Sequence, residues 1–463
     1  MSREESLRNR QHPYLPHTPE DVNQMLQSIG VEHVDDLFSD IPRPLRLKGS
    51  LGIPEGVSEY EALELMKRTA GMNLRLTSFL GCGIYDHIIP AAVGQVTANP
   101  AFSTSYTPYQ AEMSQGMLQA IFEFQTLICR LTGLDVSNAS LYDGHTAAAE
   151  AAAIALQVRR KADVILVSQG VHPFTRAVLE TYYRDSGITI QTIPLKQGAT
   201  DVQEMQRMLD SQTAAVILQT PNSMGVLEDF TGFSDEIHEH KALCVISSNP
   251  MSLGVCTSQG EWGADIAIGD TQCFGLTQSF GGPTAGYIAA RQSLLRKLPG
   301  RIVGETVDTE GKRAFVLTLQ AREQHIKRER ATSNICSNQA LAALATSAYL
   351  ACVGPEGLTE VGRLCMQKAR YLHNRLKAIP DIKMAFTKPF FHEFCLKFAS
   401  SDEAEQVLSL MRDRGYFAGV HLGKLDEAFN GLVALAVTEK RTRAELDGYA
   451  DAMQEVLTCM ARS

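Results

Sequence analysis

The chain has 463 residues, a formal net charge of −9, 44% hydrophobic residues and 21% charged residues. A chain of this length is too long for one hydrophobic core, so we expect two or three domains of an ordinary globular protein. The negative net charge gives no general attraction for a phosphate backbone, which argues against nucleic acid as a partner.

The amino terminus is polar, and its first residues, MSREESLRNRQHPYLP, contain no apolar core of the kind that a secretory signal needs. No run of the sequence approaches the roughly 18 apolar residues that indicate a membrane span. The ten cysteines include no C-x-x-C pair, which argues against a zinc knuckle or a thioredoxin-like motif. We therefore expect reduced thiols, buried as small apolar residues, in a cytoplasmic protein.

Two helices are predicted near the start of the chain. Thr18 is followed by a proline, which is typical of a helix N-terminus, and Gly30 is suited to end that helix. An S-x-x-E capping box at residues 58–61 predicts the start of a second helix. The prolines and glycines of residues 41–56 indicate a linker between the two. We interpret residues 1–80 as a helical N-terminal arm.

A long irregular stretch follows, from Leu80 to Tyr109. It is rich in glycine, proline and aromatic residues and has little regular periodicity. Irregular segments of this length inside a compact protein are usually functional or packed against another chain. We therefore expect this stretch to contribute to an apolar surface that meets a second chain.

The middle of the chain alternates short apolar runs with helical segments. Runs with the length of buried strands are DVILVS (163–168), AAVILQT (214–220), LCVISS (243–248), ADIAIGD (264–270) and YIAA (287–290). Helical patterns at 201–210 and 231–241 lie between some of these runs, which predicts βαβ crossovers and a mainly parallel sheet. This α/β region, residues 81–330, is the predicted large domain.

The pattern changes after residue 330. Predicted helices at 338–351 and 357–379 lead to the apolar segment FFHEFCLKFA, and a helix near 402–415 leads to the segment LVALAVTE and a final helix. This order of helices and strands predicts a smaller α+β domain at the C-terminus, residues 331–463.

The strongest local signal is the segment STSYTPYQAEMSQG, residues 103–116. Tyr106 and Tyr109 flank a Thr-Pro step, and the proline stiffens both its own backbone and that of the residue before it. Glu112 is predicted to lie in the first turn of the helix that follows, where the helix dipole favours a carboxylate. The segment is either a functional loop or a loop whose tyrosines only wedge it onto the core.

A second signal is NASLYDGHTAAAEAAAIAL, residues 138–156. A turn through Asp143 and Gly144 leads into a helix that is predicted to begin near His145 or Thr146. Free N–H groups at such a helix start can hold a phosphate, and a glycine there lets the backbone approach closely. The alanines keep the helix slim enough to pack tightly. A plain capped core helix is the alternative interpretation.

Two further patterns predict no site. His238, Glu239 and His240 are adjacent and diverge around a helix, so we expect a solvated surface and no metal. Gly81 and Gly83 form a G-x-G without the rest of a dinucleotide fingerprint and without a strand before it. This argues against NAD binding.

The two signals above and the block SFLGCGIYDHIIP together resemble the glycine decarboxylase P-protein family. The blocks occur in the family's order and spacing, and the resemblance extends over residues 14–450. Within the family, the chain resembles the amino-terminal half of long single-chain enzymes, a half that is a separate subunit in many bacteria and archaea. The resemblance implies fold type I of the pyridoxal-phosphate enzymes, an α/β large domain with a smaller α+β domain.

A working enzyme of this fold needs a lysine just after a central strand and an acid at the end of the preceding strand. Counting back from SFGGPTAG, the lysine position falls on Gln272, or on Cys273 if the register slips by one residue. No lysine occurs in residues 242–296, and Ser-Ser-Asn stands at residues 247–249, where the acid is needed. An amide cannot form an imine, so we expect no covalently bound cofactor and no catalytic residue in this chain.

The resemblance also assigns positions to candidate site residues. Gly144, His145 and Thr146 match the phosphate cup of the lysine-bearing partner, and we expect them to be vestigial or to hold at most an inorganic anion. The candidates for an active-site wall or a subunit interface are Tyr106, Tyr109, Gln110 and Glu112.

By this resemblance the chain is an α subunit that acts with a β subunit in an α2β2 assembly. The β subunit binds pyridoxal phosphate covalently, and the complex decarboxylates glycine and transfers the aminomethyl group to the lipoyl arm of H-protein. The T and L proteins of the system are further expected partners, and no membrane is expected. Two alternatives remain open: a scaffold subunit without active-site contact, and a stand-alone pyridoxal-phosphate enzyme, against which the missing lysine argues.

Overall fold

The computed structural model divides into two compact units, Met1–Leu74 and Arg75–Ser463. The residues that it describes are 14, 16–49, 51–54, 56–103 and 107–461.

The first unit contains two capped helices. Helix α1 (Pro19–Ile29) begins after Thr18, whose amide donates to the Asp21 carboxylate at 2.8 Å while the Thr18 hydroxyl accepts from the Asp21 amide. Gly30 ends α1 with a φ of 85°. Helix α2 (Glu59–Ala70) is capped in the same reciprocal way by the predicted S-x-x-E box. Both predicted helices are confirmed.

Most large apolar side chains of this unit are exposed. Among its described residues, Leu26 is the one buried side chain. Exposed apolar groups lie on both helices, on the connection between them and just after α2, and these include Ile29, Leu37, Phe38, Leu45, Leu47, Leu51, Ile53, Leu63, Met66, Met72 and Leu74. So many exposed large apolar groups in a segment of this length are unusual for a soluble monomer.

The second unit contains eleven further helices and seventeen strands within the described residues. Its helices are α3 (Ala91–Thr97), α4 (Pro100–Ser103), α5 (Gln115–Thr132), α6 (Gly144–Val158), α7 (Pro173–Tyr183), α8 (Val202–Met208), α9 (Phe233–Glu239), α10 (Gln324–Lys327), α11 (Ala340–Lys377), α12 (Ser401–Asp413) and α13 (Arg443–Met460). Its strands are β1 (Thr77–Ser78), β2 (Val136–Ser137), β3 (Val164–Ser168), β4 (Thr189–Ile193), β5 (Leu195–Lys196), β6 (Ala199–Thr200), β7 (Thr213–Gln219), β8 (Leu243–Ser247), β9 (Ile266–Asp270), β10 (Gly286–Ala290), β11 (Val303–Val307), β12 (Arg313–Leu317), β13 (Lys383–Met384), β14 (Glu393–Lys397), β15 (Tyr416–Phe417), β16 (Val420–His421) and β17 (Leu432–Ala436).

A seven-stranded sheet forms the centre of this unit, in the order β2-β10-β9-β8-β7-β3-β4. Strands β9, β8, β7, β3 and β4 are parallel, and β10 is antiparallel to both β9 and β2. All five predicted strand runs lie in this sheet, so the prediction of a mainly parallel α/β fold is confirmed. The apolar runs are continuous because both faces of a parallel sheet are covered.

One face of the sheet packs against α6. Six alanines of this helix, from Ala147 to Ala155, are fully buried in the same core as Ile217, Val245 and Ile268. The small side chains let the helix axis approach the strands closely, as the sequence indicated. The opposite face, with Val216 and alternate residues of the neighbouring strands, packs against α8 and α9.

A four-stranded antiparallel sheet, β13-β14-β17-β16, follows toward the C-terminus. It packs against α12, α13 and the C-terminal part of α11 in a separate core. Helix α11 contains a break at Gly354, where φ is 62° and Pro355 follows. This break separates the two helices that were predicted at 338–351 and 357–379.

Helix α11 is also the one helix, among the described residues, that is long and apolar enough to cross a membrane by length and composition. It packs against α3 and α5 within the unit. Core helices of folded domains commonly have such a composition, so the helix does not by itself indicate a membrane.

The ten cysteines all lie in described parts of the chain, and none is in a disulfide. The expectation that they are buried is wrong for several of them. Four are buried, whereas Cys336, Cys352 and Cys459 are exposed.

Candidate functional site

A cavity of about 80 Å³ lies at the carboxyl ends of β7, β8 and β9, beside the start of α6. Loops at the carboxyl ends of parallel strands commonly form the ligand site of an α/β fold. Residues from seven separate parts of the chain line the cavity, and those used below are Cys82, His145, His172, Ser223, Asn249, Asp270, His392 and Glu393.

Gln272 lies two residues beyond β9, next to this cavity. Its side chain is buried, and its amide group accepts from the Tyr85 amide at 2.8 Å and donates to the Tyr85 carbonyl at 3.0 Å. It also donates to the Leu276 carbonyl. Gln272 therefore holds the irregular segment around Tyr85 on the sheet. Both its side-chain oxygen and its side-chain nitrogen take part in these hydrogen bonds, so its role is structural.

Ser247 ends β8, the strand beside β9, and faces the same cavity. The positions of Gln272 and Ser247 at the ends of neighbouring strands match the relation that a fold type I enzyme requires between its lysine and its acid. Here the two positions hold an amide and a hydroxyl.

The start of α6 is occupied by carboxylates of the chain itself. The Gly144 amide donates to Asp270 at 3.1 Å, and the Thr146 amide donates to Asp143 at 2.7 Å. Thr284 also donates to Asp270, at 2.6 Å. Burial raises the pKa of Asp270 to about 6. The amides that would hold a phosphate are thus paired, and two acidic groups stand where an anion would bind.

Gly144 is required by the close approach of α6 to β9. A Cβ at this position would lie 3.0 Å from the Gly269 carbonyl carbon and 3.3 Å from the Asp270 Cβ. The helix begins at Gly144, with Asp143 as its N-cap, so the predicted start near His145 or Thr146 was slightly too late. Thr146 is buried and does not line the cavity, whereas Gly144 and His145 do.

Cys82 and His172 form a contact at one side of the cavity. The Cys82 Sγ lies 3.1 Å from the His172 Nε2. Burial raises the pKa of the Cys82 thiol and lowers the pKa of His172 to about 3. The pair is therefore a neutral thiol and a neutral imidazole. A nucleophilic cysteine needs a thiolate, so this pair is not arranged for nucleophilic catalysis.

Glu393 and His392 are functional candidates that the sequence analysis missed. Glu393 accepts from the Cys82 amide at 2.7 Å and from the Tyr85 hydroxyl at 3.0 Å, and burial raises its pKa to about 7. His392 packs on the Tyr85 ring at 4.4 Å between centroids, and burial lowers its pKa to about 3. The available signal was a His-Glu pair inside the apolar segment FFHEFCLKFA.

None of the described residues of the 103–112 segment lines the cavity. Tyr106 lies outside the described residues. The Tyr109 hydroxyl donates to the Asn338 side chain and accepts from the Asn338 amide at 3.1 Å, and the Arg301 guanidinium lies 5.0 Å from the centre of the Tyr109 ring. Tyr109 thus anchors the segment within its own chain.

The placement of Glu112 in the first turn of a helix is wrong. Helix α5 begins only at Gln115, because the amides of Met113 and Ser114 first close a turn on the Gln110 carbonyl. Glu112 instead accepts from the Gln110 side-chain amide at 2.8 Å, and this hydrogen bond lowers its pKa. Gln110 and Glu112 are both exposed.

Two histidine groups bear on metal binding. His238 pairs with Asp265 at 2.7 Å and forms no cluster with Glu239 or His240. Within the described residues, one group of potential ligands does come together: His87, Cys365 and Glu439. The Glu439 carboxylate is already held by His87 at 2.7 Å and by the Ile88 amide at 2.7 Å. The group is explained as a hydrogen-bonded core cluster.

Pyridoxal phosphate does not fit the residues present. Among the described residues that line the cavity there is no lysine to form the imine, Ser247 cannot keep a pyridinium protonated, and the Gly144 amide at the start of α6 is already paired with Asp270. The fold and the site together define a chain that has the large domain of a fold type I pyridoxal-phosphate enzyme without the means to anchor the cofactor.

Comparison with known proteins defines the family. The family model of the glycine cleavage system P-protein matches residues 12–453. The chain therefore belongs to the glycine cleavage system P-protein family, which depends on pyridoxal phosphate.

Curated relatives match over nearly their whole length. The chain is 49% identical over 445 residues to the probable glycine dehydrogenase (decarboxylating) subunit 1 of Bacillus cytotoxicus, covering 96% of this chain and 99% of the relative. It is 47% identical over 444 residues to the protein of the same name from Moorella thermoacetica, with the same coverage. The name "subunit 1" implies that those proteins act with a partner subunit.

A solved structure has the same fold. It is described as glycine decarboxylase (P-protein) of the glycine cleavage system in inhibitor-bound form. The TM-score is 0.87 at 42% identity, and the match covers 96% of this chain and 100% of that one.

Proposed function

We propose that this chain is the α subunit of a two-subunit glycine decarboxylase. The observation that carries the proposal is the combination of full-length similarity to proteins named subunit 1 with Gln272 at the lysine position. A family that depends on pyridoxal phosphate needs a lysine, so a member without one acts with a chain that supplies it. That partner is a lysine-bearing β subunit, in an α2β2 assembly.

The complex decarboxylates glycine and transfers the aminomethyl group to the lipoyl arm of H-protein, and it works with the T and L proteins. When bound in the β subunit, the cofactor serves as the electron sink for decarboxylation. This chain holds neither the cofactor nor the reacting atoms. Its contribution is to support the partner and to supply part of the wall around the partner's site.

The candidate residues for the active-site wall have two different roles. Tyr109 holds the loop on Asn338, since both hydrogen bonds of its hydroxyl are made inside the chain. Gln110 and Glu112 hold each other and expose their side chains, so they are available to a partner surface. Tyr106 remains a candidate for contact with the partner's site.

The first unit supplies the surface for association. Residues 80–110 were expected to form part of the apolar surface, yet Ile88 is the one exposed large apolar side chain among the described residues of that stretch. The exposed apolar groups are concentrated on α1, α2 and their connection instead. Burying them on a second chain removes that surface from water.

Reconstitution tests this proposal. The chain and its lysine-bearing partner are expressed separately and together, and exchange between glycine and labelled bicarbonate is measured with H-protein present. We expect co-purification in equal amounts and exchange only when both chains are present. Exchange by this chain alone, or full exchange by the partner alone, would contradict the proposal.

A further inference from the structure

The cavity beside α6 contains buried polar groups that make no hydrogen bond to any described residue. These are both ring nitrogens of His392, the Ser223 hydroxyl and the Asn249 side-chain nitrogen. All three residues line the cavity, and His392 and Ser223 are only 1% and 3% exposed. Unpaired buried polar groups are costly and rare, so three residues with such groups around one cavity point to a hydrogen-bonding ligand.

The charge of the lining favours a cation. Asp270 and Glu393 both face the cavity, and no lysine or arginine is among the described residues that line it. The imidazoles add no positive charge, because burial lowers the pKa values of His145, His172 and His392. Two carboxyl groups and neutral acceptors therefore disfavour an anion such as phosphate.

Some hydrogen-bonding capacity remains on the carboxyl groups. A carboxylate offers about four lone-pair positions. Glu393 uses two of them, for the Cys82 amide and the Tyr85 hydroxyl. A neutral His392 adds one ring nitrogen that can accept. A small donor cation entering the cavity would thus find acceptors that the chain itself leaves unused.

We propose that this cavity is a binding site for a small primary ammonium group, held by Glu393 and Asp270 with His392 as a further acceptor. The volume of about 80 Å³ suits a molecule of a few atoms, since one water needs roughly 10–15 Å³ of such space. A simple amine and a small amino acid share this group. An amino acid would also present a carboxylate to the Asn249 amide and the Ser223 hydroxyl.

Calorimetric titration of the full chain without its partner tests the site, because the partner's cofactor also reacts with amines. The probes are methylammonium, glycine, tetramethylammonium and inorganic phosphate. We expect saturable binding of one methylammonium or glycine per chain and none of tetramethylammonium, which has no N–H to donate, or of phosphate. Tighter binding of glycine than of methylammonium identifies an amino acid, and the reverse order identifies a simple amine.

Two variants assign the binding to this cavity. Glu393→Gln should weaken methylammonium binding by roughly tenfold or more, because a charge-assisted contact is lost. Glu310→Gln, the same change at an exposed position, should leave binding unchanged. Ser223→Ala removes a hydroxyl that has no partner, so folding is preserved, and it should weaken glycine binding more than methylammonium binding if the ligand is an amino acid.

The proposal is overturned if neither methylammonium nor glycine binds saturably, if phosphate competes with them, or if Glu393→Gln binds as tightly as the unchanged chain. Melting temperatures of the variants, measured in the same buffer, establish that each is folded. If Glu393→Gln is unfolded, Asp270→Asn takes its place in the test. Loss of methylammonium binding in Asp270→Asn supports the proposal, and retained binding overturns it. These results are independent of glycine exchange by the assembled complex.

Discussion

At the scale of single residues, the cavity depends on side chains that are far apart in the chain. The Cys82 amide and the Glu393 carboxylate are 311 positions apart, and no periodicity or motif connects them. Gln272 could be located from the sequence because the glycine-rich segment that fixes its register lies a few residues away. Glu393 and His392 could not, because their partners are defined only by tertiary packing.

The buried Glu393 makes stability depend on pH. Burial raises its pKa to about 7 from an ordinary value of 4.5, so the folded chain binds this proton more tightly than the unfolded chain. Its contribution to stability is complete below pH 4.5 and is lost as the pH rises through about 7. We expect the free energy of unfolding to fall, relative to Glu393→Gln, on the order of 1 kcal/mol per pH unit in this range.

Denaturant unfolding of the full chain and of Glu393→Gln, across about pH 5 to 8, measures this difference. Glu310→Gln serves as the exposed control and should follow the unchanged chain at every pH. A constant difference between Glu393→Gln and the unchanged chain would show that Glu393 does not titrate in this range.

Tyr109 is expected to be structural. Tyr109→Phe removes the hydroxyl that both donates to and accepts from Asn338, so stability should fall on the order of 1 kcal/mol. Glycine turnover by the assembled complex should remain near that of the unchanged complex.

Tyr106→Phe is the matched change on the same segment. If its hydroxyl reaches the partner's site, turnover should fall roughly tenfold, equivalent to about 1.4 kcal/mol of barrier, with the melting temperature unchanged. A tenfold loss of turnover in Tyr109→Phe, with stability unaltered, would instead place the Tyr109 hydroxyl in the active site.

At the scale of elements, the strands of the parallel sheet could be predicted from the sequence, because each strand is buried on both faces and appears as an apolar run. The start of a helix could be predicted from the sequence where a side chain caps it, as at Thr18. The start of α5 was misplaced because a turn on the Gln110 carbonyl precedes it. Two-residue strands such as β15 and β16 are too short to show a hydrophobic pattern in the sequence. They are defined only by their pairing with neighbouring strands.

The contact between α6 and β9 predicts the effect of Gly144→Ala. Its added methyl would meet the Gly269 backbone at 3.0 Å, and the backbone of a central strand has little freedom to move away. We expect a loss of about 1–3 kcal/mol in the free energy of unfolding. Gly94→Ala is the control, since nothing lies within 4 Å of that position in α3, and it should be neutral or stabilising by up to about 1 kcal/mol. Equal effects of the two changes would contradict the packing argument.

At the scale of the whole molecule, the exposed apolar groups of the first unit predict behaviour without a partner. Sedimentation of the full chain should show self-association, and addition of the β subunit should replace it with one defined complex. Leu63→Lys with Met66→Lys should weaken both kinds of association, because it places charge on an exposed apolar face of α2. Val202→Lys, on an exposed position of α8, should change neither. A monomer without affinity for the partner would contradict the subunit proposal.

The absence of a lysine in residues 242–296 is the most direct basis for assigning the cofactor to the partner. Borohydride reduction of the assembled complex, followed by peptide mapping, tests it, because reduction fixes the cofactor to whichever lysine formed the imine. We predict one trapped cofactor on the partner subunit and none on the peptide that contains Gln272. A stoichiometric adduct within residues 242–296 of this chain would contradict the account.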